Sequence, residues 1–343
     1  MIAGAGSVGR RHLRNLVTLG ERDILLYRTQ RSTLPEDELA AFPVEVDLVA
    51  ALAQRPQAVI ISNPTSLHLD VAMPAARAGC HMLLEKPISH SMERIAELEI
   101  AAQQSGARVM VGYQFRFHPG LVYIKQLLSN ETIGKPLSVR AHWGEYLPGW
   151  HPWEDYRDSY SARPDLGGGV ILTLSHPLDY LLWLLGPVES LWAFAGKLGS
   201  LDLQVEDTAE IGLSFMNGAL GSVHLDYNQR PASHRMEIIG TQGTIQWDNA
   251  DGAVRVHREG SQGWEVISPP AGFERNELFL AQMRHFLSVA RGETQPSCSL
   301  EDGVMALELA LKALESAQRG HLVNIEPRFT GFGSIHLKGD NLA

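Results

Sequence analysis

A lysine between an acid and a proline is the first residue of this chain whose setting suggests chemistry. Lys86 lies in Glu85-Lys86-Pro87, directly after the apolar run of residues 82–84. The run is typical of a buried parallel strand, and the carboxyl ends of such strands are where α/β sheets bind their ligands. Because Pro87 disfavours a helical conformation for the residue before it, Lys86 should stay at the end of the strand. The spacing alone is equally compatible with a surface lysine that pairs with Glu85.

The chain opens with a glycine pattern that is typical of dinucleotide binding. Gly4, Gly6 and Gly9 form Gly-x-Gly-x-x-Gly at the start of a helical stretch, residues 8–19. Such glycines allow a tight turn, a close approach of the backbone to a pyrophosphate and close helix packing, and the free N–H groups of the helix bind the phosphates. An ordinary glycine turn is the alternative, but the position inside a strand–helix alternation favours a nucleotide site.

The strand that leads into this loop is short. Only Met1, Ile2 and Ala3 precede Gly4, whereas such strands usually have about five residues. Either the strand is unusually short, or the natural start lies a few residues upstream of Met1, which in-frame upstream codons would reveal.

The end of the second predicted strand bears on the choice of dinucleotide. An Asp or Glu at this position would bind the ribose 2′-hydroxyl of NAD. The chain instead has Arg28, Thr29, Arg31 and Ser32, which could surround the 2′-phosphate of NADP. We therefore expect NADP or NAD as the cofactor and favour NADP; a solvated basic turn is the alternative interpretation.

The glycine loop and Lys86 together suggest a nicotinamide-dependent oxidoreductase with Lys86 beside the reacting carbon. Hydride transfer from an alcohol needs a base for the hydroxyl proton, and the reverse reaction needs an acid for the carbonyl. Ser62, Asn63 and Pro64 follow another predicted strand at the same edge of the sheet. They could line the nicotinamide ribose, or they could simply lead into the next helix.

The first third of the chain alternates short apolar strands with amphipathic helices. This alternation predicts a doubly wound parallel sheet, an α/β Rossmann domain over residues 1–115. The predicted strands are 23–27, 58–62, 81–84 and 108–112, and the predicted helices are 8–19, 47–53, 67–78 and 91–105.

The second part of the chain changes to an alternation of apolar and polar residues. Residues 137–143, 210–215 and 220–227 predict strands, and Asn217-Gly218 predicts a tight hairpin between the last two. We therefore predict an α+β domain with a large, open and mainly antiparallel sheet.

This second domain should cover residues 116–327. Two periodic helices, 277–290 and 300–319, lie near the end of the chain, and the second should pack back toward the first domain. Residues 328–343, with few apolar side chains, form a predicted tail.

Composition excludes several classes of function. A net charge of −10 over 343 residues disfavours a nucleic-acid groove. Cys80 and Cys298 are too few for a disulfide framework, and His142, His151 and His176 lack a compact metal spacing, so we predict no metal site. The sequence has no apolar run of about 18 residues and no secretory signal. We expect a cytoplasmic protein that binds neither nucleic acid nor a membrane.

The order of the motifs resembles one protein family. Glycine loop 4–9, Asn-Pro-Thr-Ser-Leu-His at 63–68, Glu-Lys-Pro at 85–87, the triple glycine at 167–169 and Glu-Asp-Gly at 301–303 occur in the order of the Gfo/Idh/MocA family. That family is named for glucose–fructose oxidoreductase, inositol dehydrogenase and a rhizopine-catabolism protein. The resemblance implies a Rossmann domain followed by an open antiparallel sheet that often carries the oligomer interface, and hence a homodimer or homotetramer.

The resemblance also implies catalytic roles. Lys86 would contact both nicotinamide and substrate, ahead of a cis Pro87, and His176 would donate or accept the proton. After the triple glycine the family commonly has an Asp and, four residues later, a His. Here Thr173 replaces the Asp and the His comes one residue early, so the family's lysine–aspartate–histidine arrangement is incomplete. Asp179, about one helical turn beyond His176, is a candidate to orient the imidazole.

Local sequence gives two further expectations for this segment. Pro177 is tolerated in the first turn of a helix but costly deeper in it, so a helix should begin or kink near Ser175. The alternative role for His176 is that of a capping or packing histidine.

A polar and aromatic stretch, residues 143–163, is the candidate substrate side. Aromatic platforms with mixed donors suit sugar rings, and Arg suits a carboxylate or phosphate, although a self-packed loop is the alternative. Gln114 and Arg116, at the domain junction, could also face the substrate; an interdomain salt bridge is the alternative for Arg116. The predicted substrate-binding residues are Lys86, Gln114, Arg116, Tyr146, Trp150, Tyr156, Arg163, Thr173 and His176.

These observations predict an NAD(P)-dependent dehydrogenase or reductase that transfers hydride between nicotinamide and a secondary alcohol or ketone of a sugar, sugar derivative or nucleotide sugar. Two alternatives stay open: an enzyme with tightly bound cofactor and internal redox cycling, as in glycoside cleavage, and a non-catalytic dinucleotide-binding sensor. The predicted cofactor-binding residues are Gly4, Gly6, Ser7, Val8, Gly9, Arg28, Thr29, Arg31, Ser32, Ser62, Asn63, Pro64, His68, Glu85 and Lys86.

Overall fold

Short parallel strands form the first of two sheets in the computed structural model, which describes residues 1–29 and 37–326. Arg31, Ser32 and the predicted tail, residues 328–343, lie outside the described residues. The strands of this sheet are β1 Ile2–Ala3, β2 Leu26–Tyr27, β3 Val44–Glu45, β4 Ala58–Ile61, β5 His81–Leu84 and β6 Val109–Val111.

These strands lie in the order β3-β2-β1-β4-β5-β6, and every neighbouring pair is parallel. The predicted doubly wound sheet is thus confirmed; β3 was not predicted. Strand order reverses between β1 and β4, which opens a crevice at their carboxyl ends where such sheets bind dinucleotides. The helices of this part are α1 Ser7–Thr18, α2 Leu48–Ala53, α3 His68–Arg77 and α4 Ile95–Ser105.

The second sheet has nine strands and follows helix α5, Pro119–Ser129. Its strands are β7 Pro136–Gly144, β8 Val188–Gly196, β9 Thr208–Phe215, β10 Leu220–Asp226, β11 Ser233–Gly240, β12 Gly243–Asp248, β13 Val254–Arg258, β14 Glu265–Ile267 and β15 Val323–Asn324. The other helices are α6 Val170–Thr173, α7 His176–Leu185, α8 Arg275–Arg291 and α9 Leu300–Arg319.

The second sheet is mainly antiparallel, as predicted. Its order is β14-β13-β12-β11-β7-β10-β9-β8-β15, and the Asn217-Gly218 turn joins the antiparallel pair β9 and β10. One pair differs, since β7 and β10 run parallel. Buried and exposed residues alternate in the same way along parallel and antiparallel strands. The sequence pattern therefore could not reveal that β7 and β10 are parallel. Along β7 the side chains of Val139, Ala141 and Trp143 are buried, whereas Arg140 on the outer face is exposed.

Helix α9 contacts elements of both sheets. A capping box fixes its start, where Ser299 and Asp302 each bond the other's backbone N–H. A Cβ atom on Gly303 would lie 2.7 Å from a methyl of Val111, so the glycine lets the helix approach β6 closely. Farther along, the hydroxyl of Ser316 accepts a bond from the N–H of Ala193 in β8. The domain boundary at residue 115 stays a prediction.

No single helix within the described ranges, 1–29 and 37–326, is long and apolar enough to cross a membrane. One bent pair, Pro164–Thr173 with His176–Leu185, meets the criteria of length and composition together across a 48° bend.

Candidate active site

The glycine loop makes the first wall of the site. Gly4 has a φ of +96°, which favours glycine, and a Cβ atom on Gly9 would lie 2.0 Å from the carbonyl oxygen of Gly4. A Cβ atom on Gly6 would meet no atom within 4 Å, so this side of the loop is open. No side chain of the described residues caps helix α1 and its first turn has no acidic residue, so its first N–H groups, at Ser7 and Val8, suit a pyrophosphate.

The loop after β4 closes the crevice. The hydroxyl of Ser62 donates to the carbonyl oxygens of Ala3 and Gly4 at 3.2 and 3.0 Å, so it fastens the glycine loop. The side-chain oxygen of Asn63 is buried and bonds no described group, which leaves it available to a ribose hydroxyl. The ring of His68 bridges the carbonyls of Asn63 and Pro87 at 2.9 and 3.0 Å. His68 therefore joins this loop to the Lys86 segment.

The end of β2 carries part of the predicted ribose site. Arg28 is buried, and its backbone N–H donates to the carbonyl of Glu45 on β3 at 3.1 Å. Thr29, the next residue, is exposed. The two residues after β2 offer no carboxylate to a ribose 2′-hydroxyl.

Lys86 reaches from the first sheet to the second part of the chain. The Lys86–Pro87 peptide is cis, as the resemblance implied. The Nζ atom of Lys86 donates to the backbone oxygen of Thr173 at 2.6 Å. Thr173 is buried at the end of α6, and its backbone carbonyl, not a side-chain carboxylate, orients the ammonium group.

The acid beside Lys86 is bound inside the protein. The Glu85 carboxylate lies 2.7 Å from Nε2 of His12, a buried residue of α1. Burial acts to raise the pKa of Glu85, but the His12 hydrogen bond and nearby positive charge outweigh it, and the pKa is lowered. Glu85 thus ties β5 to α1 beneath the glycine loop, and its predicted contact with a cofactor finds no support in this geometry.

His176 begins helix α7, where the sequence predicts a helix start. Its side chain is 2% exposed and lies against the rings of Tyr113, Phe115 and Trp143 at 5.0–5.4 Å between centroids. Burial and the charge of Lys86 lower the pKa of His176 well below its ordinary value. The imidazole is therefore neutral near pH 7 and can accept a proton.

Arg116 and Asp179 occupy a different place from the one expected. The guanidinium of Arg116 donates three bonds to the carboxylate of Asp179, the shortest at 2.7 Å, and both side chains are buried. A fourth bond reaches the carbonyl of Ser297 at 2.7 Å. Asp179 therefore orients Arg116, and Arg116 forms the interdomain salt bridge given above as its alternative role. Periodicity could not reveal this, because the pair joins residues 63 positions apart.

The aromatic stretch packs mainly against residues outside it. The ring of Tyr146 lies under the guanidinium of Arg230 at 4.0 Å, and the hydroxyl of Tyr156 accepts a bond from the N–H of Asp202. Arg163 forms an exposed ion pair with Asp165, and Trp150 packs edge-on against Tyr227. Gln114 is buried in the turn after β6. Four of these five predicted substrate residues thus contact another residue of the protein, and their binding roles stay predictions.

A cavity of about 320 Å³ lies behind two of the rings that contact His176, although neither His176 nor Lys86 lines it. Phe115 and Trp143, which contact the His176 ring, also form its wall. Glu145 accepts a bond from the indole of Trp143 at 2.9 Å and lines the cavity together with Arg275. The sequence analysis missed Arg275, since no motif marks the first residue of α8. Aromatic walls with a carboxylate and a guanidinium suit a hydroxylated ligand.

Comparisons with known proteins agree with this architecture. Residues 1–113 match the family model described as an oxidoreductase family with an NAD-binding Rossmann fold, and residues 121–246 match a GFO/IDH/MocA C-terminal domain. An uncharacterised oxidoreductase of Synechocystis is 30% identical over 72% of this chain and 68% of its own length. The chain belongs to the Gfo/Idh/MocA oxidoreductase family.

Two other members illustrate the range of this family. The 1,5-anhydro-D-fructose reductase of Ensifer adhaerens is 28% identical over 78% of this chain and 80% of its own length. The structure of the WlbA dehydrogenase of Bordetella pertussis, solved with NADH and UDP-GlcNAcA, has the same fold at a TM-score of 0.80. It is 23% identical and covers 95% of this chain and 98% of its own.

Replacing Gly9 by Ala should weaken NADH binding and destabilise the fold. The added methyl would overlap the Gly4 carbonyl, and overpacking of this kind typically costs about 1–3 kcal/mol. Urea unfolding and a fluorescence titration with NADH measure the two effects. Gly263→Ala is the control, since its Cβ atom would meet no atom within 4 Å. Equal NADH affinity of Gly9→Ala and wild type would contradict this account of the loop.

Acid should destabilise the protein through His118. Its Nδ1 atom accepts a bond from the N–H of Gly120 and caps α5, and burial lowers its pKa from 6.5 to about 4. The unfolded chain binds a proton on His118 at higher pH than the folded chain does. The contribution of His118 to the free energy of unfolding is therefore complete above about pH 6.5 and decreases as the pH falls toward 4. Complete protonation of His118 should lower the free energy of unfolding by an amount on the order of 3 kcal/mol.

The variant His118→Asn isolates this contribution, because Asn caps helices without titrating in this range. Urea unfolding from pH 7 to pH 4.5 should show wild type losing stability relative to the variant. A constant difference between the two proteins over that range would show that His118 does not titrate as described.

Proposed function

We propose that this protein is an NAD(P)-dependent dehydrogenase or reductase that acts on a secondary alcohol or ketone of a sugar, sugar derivative or nucleotide sugar. The observation that carries the proposal is that the Lys86 ammonium group is held by the carbonyl of Thr173, three residues before His176, so that its charge acts on the His176 imidazole. The named activity of the Ensifer relative, a sugar reductase, supports the substrate class.

The bound dinucleotide would supply the hydride acceptor or donor at its nicotinamide ring. Ser7, Val8 and the glycine loop would hold its pyrophosphate, and the side-chain oxygen of Asn63 would bind the nicotinamide ribose. The ammonium group of Lys86, fixed by the Thr173 carbonyl at 2.6 Å, then lies where it can donate a hydrogen bond to the reacting oxygen. This bond polarises a carbonyl in reduction and stabilises an alkoxide in oxidation.

His176 handles the proton in this proposal. Because its imidazole is buried and its pKa is lowered, it is neutral when the substrate arrives. In alcohol oxidation the ring accepts the proton of the hydroxyl group while the hydride leaves the carbon that bears this group. In carbonyl reduction the ring returns the proton to the oxygen. Thr173 cannot share this role, since its hydroxyl is a far weaker acid or base than the expected carboxylate.

Lys86→Met should lower turnover by about 10²–10⁴-fold, because the substrate oxygen loses its charged donor. Its affinity for NADH should stay within several-fold of wild type. The assay follows NADH or NADPH absorbance over a panel of sugars and nucleotide sugars. Lys125→Met is the matched control, since Lys125 also donates to a backbone carbonyl, that of Trp183, away from the site.

Full activity of Lys86→Met would refute this mechanism. Two other results would favour the alternatives. Cofactor that copurifies and catalyses conversion without net absorbance change would indicate internal redox cycling. NADH binding without turnover of any substrate in the wild type would favour a sensor.

We further propose that the protein prefers NADP over NAD, because Arg28 and Thr29 follow β2 where a carboxylate would bind the 2′-hydroxyl. The kcat/KM for NADPH should exceed that for NADH, and Arg28→Asp should shift the ratio toward NADH. A wild-type preference for NADH of about tenfold or more, equivalent to roughly 1.4 kcal/mol, would contradict this proposal.

Two exposed aromatic side chains support assembly into a homodimer or homotetramer. Trp192 and Phe194 project from the outer face of β8 with 44% and 69% of their surface exposed. Apolar area of this kind on an open sheet is typical of a protein–protein contact.

We place the protein in the cytoplasm, with small carbohydrate-like molecules as its ligands.

A further inference from the structure

Two histidines face each other on the outer side of the second sheet, away from the Lys86 site. His142 on β7 and His224 on β10 are register partners in the parallel pair. Their rings stack at 4.6 Å between centroids with an interplanar angle of 17°. Both side chains are partly exposed, so the cluster is open to solvent.

A carboxylate completes a set of three ligand atoms. The Nε2 atom of His224 lies 2.9 Å from an oxygen of Asp226, a buried residue two positions farther along β10. One nitrogen from each histidine and one oxygen from Asp226 all lie within 4.8 Å of one another. Ligand atoms about 2.0–2.2 Å from a tetrahedral ion are roughly 3.4 Å apart, so small side-chain rotations would bring all three to one ion.

An amide oxygen points to the same space. A Cβ atom on Gly144 would lie 2.2 Å from an oxygen of Asp226 and also 2.2 Å from the side-chain oxygen of Gln229. That oxygen of Gln229 is 2.5 Å from Nε2 of His142. Two oxygen acceptors and two imidazole rings therefore converge over a residue that has no side chain.

A second layer of bonds fixes the orientation of the ligands. A carboxylate oxygen of Glu210 on β9 lies 2.6 Å from Nδ1 of His224, on the opposite side of the ring from Asp226. The other oxygen of Asp226 accepts bonds from the N–H groups of Asn228 and Gln229, both at 2.6 Å. A carboxylate behind a ligating histidine is the usual arrangement around zinc in proteins.

We propose that His142, His224 and Asp226 bind a divalent transition-metal ion of the zinc type, with the Gln229 oxygen as a fourth ligand. Two imidazoles favour such an ion over Mg²⁺ and Ca²⁺, which prefer a shell of oxygens. The site is structural, because it lies on the face of β7 opposite to Trp143, and it joins β7 to β10 near their carboxyl ends. The bound ion stiffens the strand whose inner face supports the His176 ring.

The test is a titration of the full-length, metal-stripped and tag-free protein with Zn²⁺ by calorimetry. We expect one Zn²⁺ per chain and a rise in the unfolding temperature. Co²⁺ should give the visible absorption of a tetrahedral complex, and excess Mg²⁺ or Ca²⁺ should not displace either ion.

His142→Gln is the main variant, because His142 makes a single side-chain hydrogen bond within the described cluster, to Gln229, and its loss should leave the fold intact. It should weaken Zn²⁺ binding by at least about 10–100-fold and abolish the Co²⁺ spectrum. His257→Gln, on β13, is the control and should bind as wild type does. Unchanged Zn²⁺ affinity in His142→Gln, or no binding by the folded wild type, would overturn the proposal.

Discussion

One buried cation, Arg116, holds together the parts from which the site is made. Its guanidinium pairs with Asp179 of α7, bonds the carbonyl of Ser297 and lies 3.3 Å from Asp302 at the start of α9. The junction after β6 is thereby fixed to the helix that begins with His176. Removing one partner of a buried ion pair typically costs about 3–5 kcal/mol, because the remaining charge stays without compensation. The geometry of the reacting groups therefore depends on this pair.

The two reacting groups come from a strand and a helix far apart in the sequence, and a hydrogen bond from Lys86 to Thr173 links their segments. Lys86 ends β5, His176 begins α7, and the bond from Lys86 to the carbonyl of Thr173 brings them together. A carbonyl is a neutral acceptor, so the full positive charge of the ammonium group acts on the imidazole. A carboxylate in the place of Thr173 would cancel part of that charge. The departure from the family pattern therefore changes the electrostatics of the site.

The sequence predicts those features that local patterns determine. The glycine loop, the alternation of strands and helices and the bounds of α9 follow from turn chemistry and periodicity, and the structure agrees with them. Pairings across long distances are different, because they depend on tertiary packing. The Arg116–Asp179 pair, the bond between Glu85 and His12 and the parallel orientation of β7 and β10 leave no trace in local pattern. The grouping of His142 with His224 has the same origin, since it arises only when the second sheet is assembled.

The close packing of α9 against both sheets affects the route by which ligands enter and leave. Gly303 lets the helix press against β6, and Ser316 ties the same helix to β8, so a rigid strut connects the two sheets. Many two-domain enzymes admit their ligands by a hinge motion between domains. The strut opposes such a hinge motion, so we expect ligands to pass by the surface segment 146–168, which is built of short 3₁₀ turns. The rate at which product leaves would then be set by a loop, and its sequence could be exchanged without disturbing either sheet.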